Sequence, residues 1–319
     1  MAVVPLGLPN ALRYLLVRIG RAVATVFGVV TLVFLMVRAI PGDPVDAILG
    51  DQAAPEDRAA LRRALELDRP VAEQYLTFVG HVADGSLGYS FRKRGQSVSG
   101  LIAQVLPATL VLAVSAMAVA WLIAIPLGAV AALYKGRNLD RAASTVAMLG
   151  IAIPNIWLGP LLVLLFGVQL HWLPLPGDDP ARIEALILPA FTVGTALAAI
   201  LMRQTRASLL EVLDQQYIVA AWARGLSPAR VVFKHALRNA LLPVMTVGAA
   251  QFGAILSGTV IAEKIFERPG LGLLFLEGFF DRDIPLVQGC VLVIAVIYVA
   301  VNLLVDLAYG LVDPRVRLS

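Results

Sequence analysis

The chain has 319 residues, of which 59% are hydrophobic and only 15% charged, with a mean hydropathy of +0.82, whereas a soluble domain carries about 25% charged residues. That composition excludes a water-soluble globular domain and marks an integral membrane protein, which the uncharged windows along the chain lead one to expect to be an all-α polytopic membrane protein. The net charge of +4 includes no basic face interleaved with aromatics, which excludes nucleic acid as a partner.

Uncharged windows at 22–37, 95–134, 142–170, 185–202, 239–262 and 284–305 predict six transmembrane helices, since a span needs roughly 20 apolar residues. The first window reaches that length by extending past Arg21 and Arg38, whose long side chains snorkel to the interface. It has no clear small-residue cleavage site, so it reads as a retained span and not as a secretory signal. The fourth window is short and contains Pro189 and Gly194.

Between the first two windows lies an excursion at 41–98. Pro41-Gly-Asp-Pro44 reads as a turn leaving the bilayer. After Pro55, residues 56–67 place Leu61, Ala64 and Leu65 on one helical face. A second helix is expected over 70–83, with Glu73 in its first turn and Gly85 just past its end. The pair is either a docking or gating platform or a cap on the bundle.

Further along, Pro107, Pro126-Leu-Gly128, Pro154, Gly159 and Pro160 are expected to break the second and third spans. Such sites are either structural or line a pathway. In the fifth window Gly248, Gly253 and Gly258 recur every five residues, with Gln251, Ser257 and Thr259 among them. These are candidates for close helix packing or for the lining of a translocation pathway. In the sixth, Asn302 and Asp306 share a face, and Asp306 is either a functional acid or a hydrated structural one near the membrane end.

The positive-inside rule orients the chain. With both termini cytoplasmic, the inner side holds more than half of the 26 basic residues, including Arg137, Arg203, Arg206, Arg224, Arg230 and Lys234. The expected organisation is an N-terminal segment with the first span at 1–40, a small helical extracytoplasmic insertion at 41–98, a five-helix core at 99–312 containing a cytoplasmic loop at 207–238, and a tail at 313–319.

That loop is the most distinctive stretch. Residues 217–224 have helical composition, Gly225 can take the positive φ that ends a helix, and Ser227-Pro228 supplies an N-cap and a first-turn proline for a second helix. Small residues Ala220, Ala221, Ala223 and Gly225 keep the turn slim, and Arg206, Arg224 and Arg230 are placed to pair with acids on a partner. Local physics leaves two readings: a plug into a partner's groove, or an interfacial hairpin on anionic lipid.

No Gly-x-x-x-x-Gly-Lys-Ser/Thr phosphate loop occurs in the chain, so ATP hydrolysis by that route is excluded. His81, His171 and His235 are scattered and Cys290 is alone, a pattern without metal-ligand spacing or a disulfide. No nucleophile elbow is present. An intramembrane enzyme and a secondary carrier are the rival classes, the first lacking a nucleophile–base pair and the second lacking buried charges beyond Asp306.

Ala220-Ala221 followed by Gly225 resembles the "EAA" loop of the inner-membrane permease subunits of bacterial ATP-binding cassette importers. The wider string from Tyr217 to Ser227, with His235-Ala-Leu-Arg-Asn-Ala-Leu-Leu-Pro243, is similar to the dipeptide, oligopeptide and nickel permease branch. Further shared markers are Ile40-Pro-Gly-Asp-Pro44, Leu67-Asp-Arg-Pro70, Gly85-Ser-Leu-Gly-x-Ser90, Leu188-Pro189-Ala190, Phe266-x-x-Pro-Gly-Leu-Gly272, and 301–306 running to Asp313-Pro-Arg315. Val219 stands where the general loop has its acid, Leu237-Arg238 where a Leu-Pro is usual, and Trp222 where the branch carries a smaller residue.

The resemblance implies a type I ABC importer permease fold in the bacterial inner membrane, importing dipeptides or oligopeptides, with nickel or another small solute as the alternative cargo. It implies that Tyr217, Ala220, Ala221, Arg224, Gly225, Leu226 and Ser227 form a coupling helix and turn that dock on an ATPase. Implied partners are a second homologous permease, two ABC ATPase subunits or domains, an extracytoplasmic substrate-binding protein and membrane lipid. ATP and Mg would be bound by the ATPases, with no cofactor or metal on this chain.

Overall fold

The computed structural model describes residues 8–312 apart from 40–42, 51–52, 94 and 181. In chain order the helices are α1 (Leu8–Ala39), α2 (Pro44–Leu49), α3 (Pro55–Ala64), α4 (Val71–Ala83), α5 (Val98–Leu133), α6 (Asn138–Ala152), α7 (Asn155–Leu162), α8 (Glu184–Leu213), α9 (Gln216–Ala223), α10 (Pro228–Arg230), α11 (Leu237–Ala250), α12 (Phe252–Ile265), α13 (Leu271–Phe280) and α14 (Ile284–Val312). Two π-helical segments, Val163–Gln169 and Val231–Ala236, follow α7 and α10. Among the described residues there is no strand beyond one isolated antiparallel bridge between Tyr89 and Ser97.

Four helices are individually long and apolar enough to cross a membrane, at 16–38, 98–133, 184–213 and 284–304, and the bent pair α6 and α7 with its π-helical extension makes a fifth. The third predicted span is therefore not a single rod: α6 and the α7 segment meet at 100°. The reason is Pro154, which lacks an N–H, follows an extended Ile153 and caps α7. The fifth predicted window is divided between α11 and α12 at Gln251. Conversely, Pro107 and Pro126 do not break the second span, because α5 runs unbroken through both.

The chain divides into two compact units, 1–107 with 271–319 and 108–270. In the first, α1 packs along α14 and α4 through Val30, Phe34, Phe78 and Leu292 and through Val33, Val37 and Val287. Phe34 sits edge-on to Tyr75 at 5.1 Å and stacked on Phe78 at 5.8 Å, while Thr31 and Tyr75 share a 2.8 Å hydroxyl bond. The helices expected over 56–67 and 70–83 form as α3, which stops at Ala64, and α4, and α2 adds a short helix capped by Asp43, whose carboxylate accepts from the Val45 N–H.

The loop after α4 is held by one buried carboxylate. Asp283, fully buried, accepts from the Ser90 hydroxyl, from the Phe91 and Arg92 N–H groups at 3.1 and 3.3 Å, and from Leu286 N–H in the first turn of α14 at 3.3 Å. It therefore caps a helix N-terminus and ties the distant loop to it with the same side chain.

In the second unit α8 is central, with much of its length buried. Its neighbours approach closely: a Cβ on Gly128 of α5 would lie 2.8 Å from the Met202 carbonyl, and one on Gly194 of α8 would lie 2.7 Å from the Ala116 carbonyl. The Pro126-Leu-Gly128 stretch thus serves a backbone contact and not a break. Pro189 leaves the Ala185 carbonyl without its i+4 donor, and the Arg268 guanidinium donates to that oxygen at 3.5 Å. Burial lowers the Arg268 pKa from its ordinary value. Glu263 is buried, accepts from the Thr109 hydroxyl at 2.6 Å, and lies where a Cβ on Gly270 would sit. That contact gives the glycine of Phe266-x-x-Pro-Gly-Leu-Gly272 its physical reason.

Candidate coupling site

The 207–238 loop forms as two short helical pieces joined by a tight turn. α9 ends at Ala223 with Arg224 as its C-cap, and Gly225 takes φ +72°, the left-handed conformation that glycine adopts at low cost. The Gly225 N–H donates to the Trp222 carbonyl at 2.9 Å, and the Val231 N–H donates to the Ser227 carbonyl at 3.0 Å, starting the second piece.

The inner face is an apolar bed. Ile218 and Ala221 of α9, Val231, Val232 and Ala236 of the π-helical segment, and Ala240 of α11 pack with Leu209 of α8 and Ala129 and Ala132 of α5. Ile218 and Ala221 lie three residues apart, so one narrow stripe of α9 is buried. The outer face exposes Val219 (58%), Trp222 (39%) and Phe233 (61%), flanked by exposed Arg224 and Arg230. Tyr217 stands half out, its hydroxyl accepting from Asn239 Nδ2 at 2.7 Å.

The nominated coupling residues therefore divide. Tyr217, Ala220, Arg224, Gly225 and Ser227 are exposed, Ala221 is buried, and Leu226 is partly buried against the apolar bed. Arg206 does not face outward for a partner's acids. Its Nε and Nη2 donate to the Asp140 oxygens at 2.7 and 2.8 Å, and the Gly136 N–H adds a third bond to that carboxylate at 2.9 Å. This two-pronged pair fixes the start of α6 to α8, seven residues before α8 ends.

Of the pathway candidates, Gln251 is half-buried at the junction of α11 and α12, and Thr259 is fully buried with its hydroxyl donating to the Leu256 carbonyl at 2.7 Å. The side chains of Ser257 and Asp306 lie outside the described residues. A Cβ on Gly248 would meet Trp121 Nε1 at 3.2 Å, which is a packing contact. Sequence reasoning passed over Asp140, Glu263 and Asp283. A signal existed for Asp283, an Asp immediately before an Ile-Pro helix start.

Among the described residues, no group of three His, Cys, Asp or Glu side chains converges as metal ligands. The fold and this exposed hairpin define a polytopic α-helical membrane protein with an apolar and basic face turned away from its own core. Residues 124–318 match the family of the binding-protein-dependent transport system inner membrane component, and residues 11–113 match that family's N-terminal region. The chain belongs to this family, whose members are membrane components of transport systems and not enzymes.

It is 39% identical to the di/tripeptide transport system permease protein DppB of Pseudomonas aeruginosa (strain UCBPP-PA14), over 96% of this chain and 99% of that protein. The dipeptide transport system permease protein DppB of Escherichia coli (strain K12) is also 39% identical, with the same coverage. The oligopeptide transport system permease protein AppB of Bacillus subtilis (strain 168) is 37% identical, over 95% and 99%.

Proposed function

We propose that this chain is the permease subunit of an ATP-driven importer of short peptides, and that it couples to its ATPase through the 217–227 turn. The observation that carries the coupling is the sidedness of α9: its buried stripe is fully engaged while Val219, Trp222 and the neighbouring Phe233 remain exposed beside Arg224 and Arg230. Apolar side chains clustered with arginines at a surface are what a protein partner covers. The peptide cargo is inferred from the relatives, which are di/tripeptide, dipeptide and oligopeptide transport permeases.

On this reading both termini are cytoplasmic, and six crossings comprise α1, α5, the bent α6 and α7, α8, the divided α11 and α12, and α14. The 41–98 insertion is extracytoplasmic, 99–312 is the core and 313–319 a cytoplasmic tail. A second permease completes the pathway, a substrate-binding protein delivers cargo, and two ATPase subunits bind ATP and Mg. Closure of those subunits draws the two coupling turns together and rocks the spans between inward- and outward-facing states. Docking here uses Val219 and Trp222, an apolar contact in place of the acid of the general loop.

The test is uptake in proteoliposomes. Peptide uptake is expected to need ATP and separate ATPase subunits, and uptake by this chain alone on an ion gradient refutes the proposal. Gly225→Val forces a branched residue to φ +72°, a strain of about 1–2 kcal/mol. It is expected to leave ATP hydrolysis running without transport, and unchanged coupling in that variant removes the turn from the mechanism.

A further inference from the structure

The first unit contains a cavity of about 860 Å³, within the range of small-ligand sites. It is walled by the end of α1, by α3 and α4, by the turn at 87–91 and by the first turn of α14. The acids on its wall are already matched: Asp43 pairs with Arg62, and Glu66 pairs with Arg69 at 3.0 Å.

Arg38 is different. Its Nη2 donates to Gln74 Oε1 and its Cζ lies 3.7 Å from the Phe34 ring centroid, but among the described residues no carboxylate pairs with it. The Gln74 amide nitrogen donates to the Arg69 carbonyl at 2.8 Å, which turns its oxygen toward Arg38. The guanidinium is thus held on one edge and one face, and among the described residues its remaining N–H groups have no acceptor and its charge has no carboxylate against it. A second group on the same wall is also unmatched: Gln288 is 4% exposed and its Nε2 has no acceptor among the described residues. Buried polar donors are normally paired, so the cavity offers donors and one net cation where a ligand would bring acceptors and one net anion.

We infer that this cavity binds a short peptide through its free C-terminal carboxylate, with Arg38 taking the carboxylate and Gln288 supplying a donor at the wall. Apolar neighbours Phe34, Phe78 and Ile284 receive the side chains. The peptide identity rests on the importer reading above; the requirement for an anionic oxygen group rests on Arg38 and Gln288 alone. A lipid phosphate carries the same chemistry, so the test separates the two.

The full-length protein is titrated calorimetrically with trialanine and with trialanine amide, in nanodiscs of phosphatidylcholine alone and in nanodiscs that also contain anionic phosphatidylglycerol. Trialanine is expected to bind at least about tenfold more tightly, the worth of a hydrogen bond to a charged group. Arg38→Gln should abolish that difference and Arg38→Lys should keep part of it. Gln288→Met should weaken trialanine binding without lowering the melting temperature, since it removes an unsatisfied donor. Equal affinity for the two peptides, an undiminished preference in well-folded Arg38→Gln, or occupancy by anionic lipid that excludes trialanine overturns the inference. Uptake of labelled trialanine by the complete transporter is measured in parallel. Absent uptake counts against the importer reading, whereas uptake without carboxylate discrimination in the titration counts against the cavity alone.

Discussion

The Asp283 junction and the α9 hairpin are both places where a loop is fastened to helices, and they are fastened by opposite means. At Asp283 one buried carboxylate holds four donors from two segments nearly two hundred residues apart in sequence. The α9 hairpin lies on an apolar bed of small and branched side chains, with the Tyr217 to Asn239 bond at its margin. Hydrogen bonds are directional and fix an angle, whereas an apolar stripe fixes a contact but tolerates sliding. The first arrangement suits a loop that must keep its shape. The second suits the coupling role proposed for the hairpin, in which force would pass to α8 and α11.

The comparison breaks most visibly at Asp283. Asp283→Ala leaves two loop N–H groups, one helix N–H and a serine hydroxyl without their acceptor, a cost of about 3 kcal/mol or more. The expected result is a large loss of folded protein after detergent extraction, read by size-exclusion yield and thermal unfolding. Asp283→Asn keeps acceptor capacity and should lose less. A wild-type melting temperature in the alanine variant would show that the loop is held otherwise.

A smaller effect is expected where apolar packing holds the hairpin. Ile218→Ala removes a fully buried side chain at a cost of about 2–4 kcal/mol, softened if the bed slides to fill the space. Trp222→Ser and Val219→Ser on the outer face should stay within about 0.5 kcal/mol of wild type yet weaken ATPase association. Pull-down and thermal unfolding on the same three variants separate the inner face from the outer. If Ile218→Ala and Trp222→Ser lose binding and stability in parallel, the sidedness of α9 has no functional meaning.

Asp140 and Arg206 bring the polar style of fastening to the edge of the apolar region. The carboxylate is nearly buried and the guanidinium about one-third exposed, so Asp140→Asn is expected to cost about 2 kcal/mol, below a fully buried pair. In a double-mutant cycle with Arg206→Gln the losses should not add. Additive losses would mean that the two side chains act separately.

The distribution of these features explains what could be read from the chain. α4 and the long α5 follow from composition and end signals, and the Gly225 turn follows from a positive-φ conformation that glycine adopts at low cost. Proline was the misleading sign. Pro126 and Pro154 look equivalent as letters, but Pro126 lies two residues before Gly128, where α5 approaches α8 backbone to backbone and the helix continues, whereas Pro154 follows an extended residue and the chain turns. Tertiary packing decides between those outcomes, and no local window contains it. The same holds for Asp140, Glu263 and Asp283, whose partners lie 66, 154 and 193 residues away. The helix–turn–helix form of the segment proposed for coupling was legible in the sequence, while its division into buried and exposed faces required α8 and α11 to be in place.

The smallest expected effect tests whether polar fastening extends beyond Asp283 along the same loop. Asp84, at the C-terminal end of α4, accepts from the Ser86 N–H at 2.8 Å, and its bonds to Ser86 lower its pKa below the ordinary carboxylate value. A depressed native pKa means that the charged form favours the folded state. The contribution is complete above the unfolded-state pKa, declines as pH falls below it, and is gone once pH drops through the lower native value. Thermal unfolding of wild type and Asp84→Asn is compared at neutral pH and below the carboxylate range. The wild type is expected to lead slightly at neutral pH and to lose that lead on acidification, because both side chains are then uncharged. A lead that persists in acid would assign the effect to shape at the end of α4 and leave Asp283 as the loop's charged anchor.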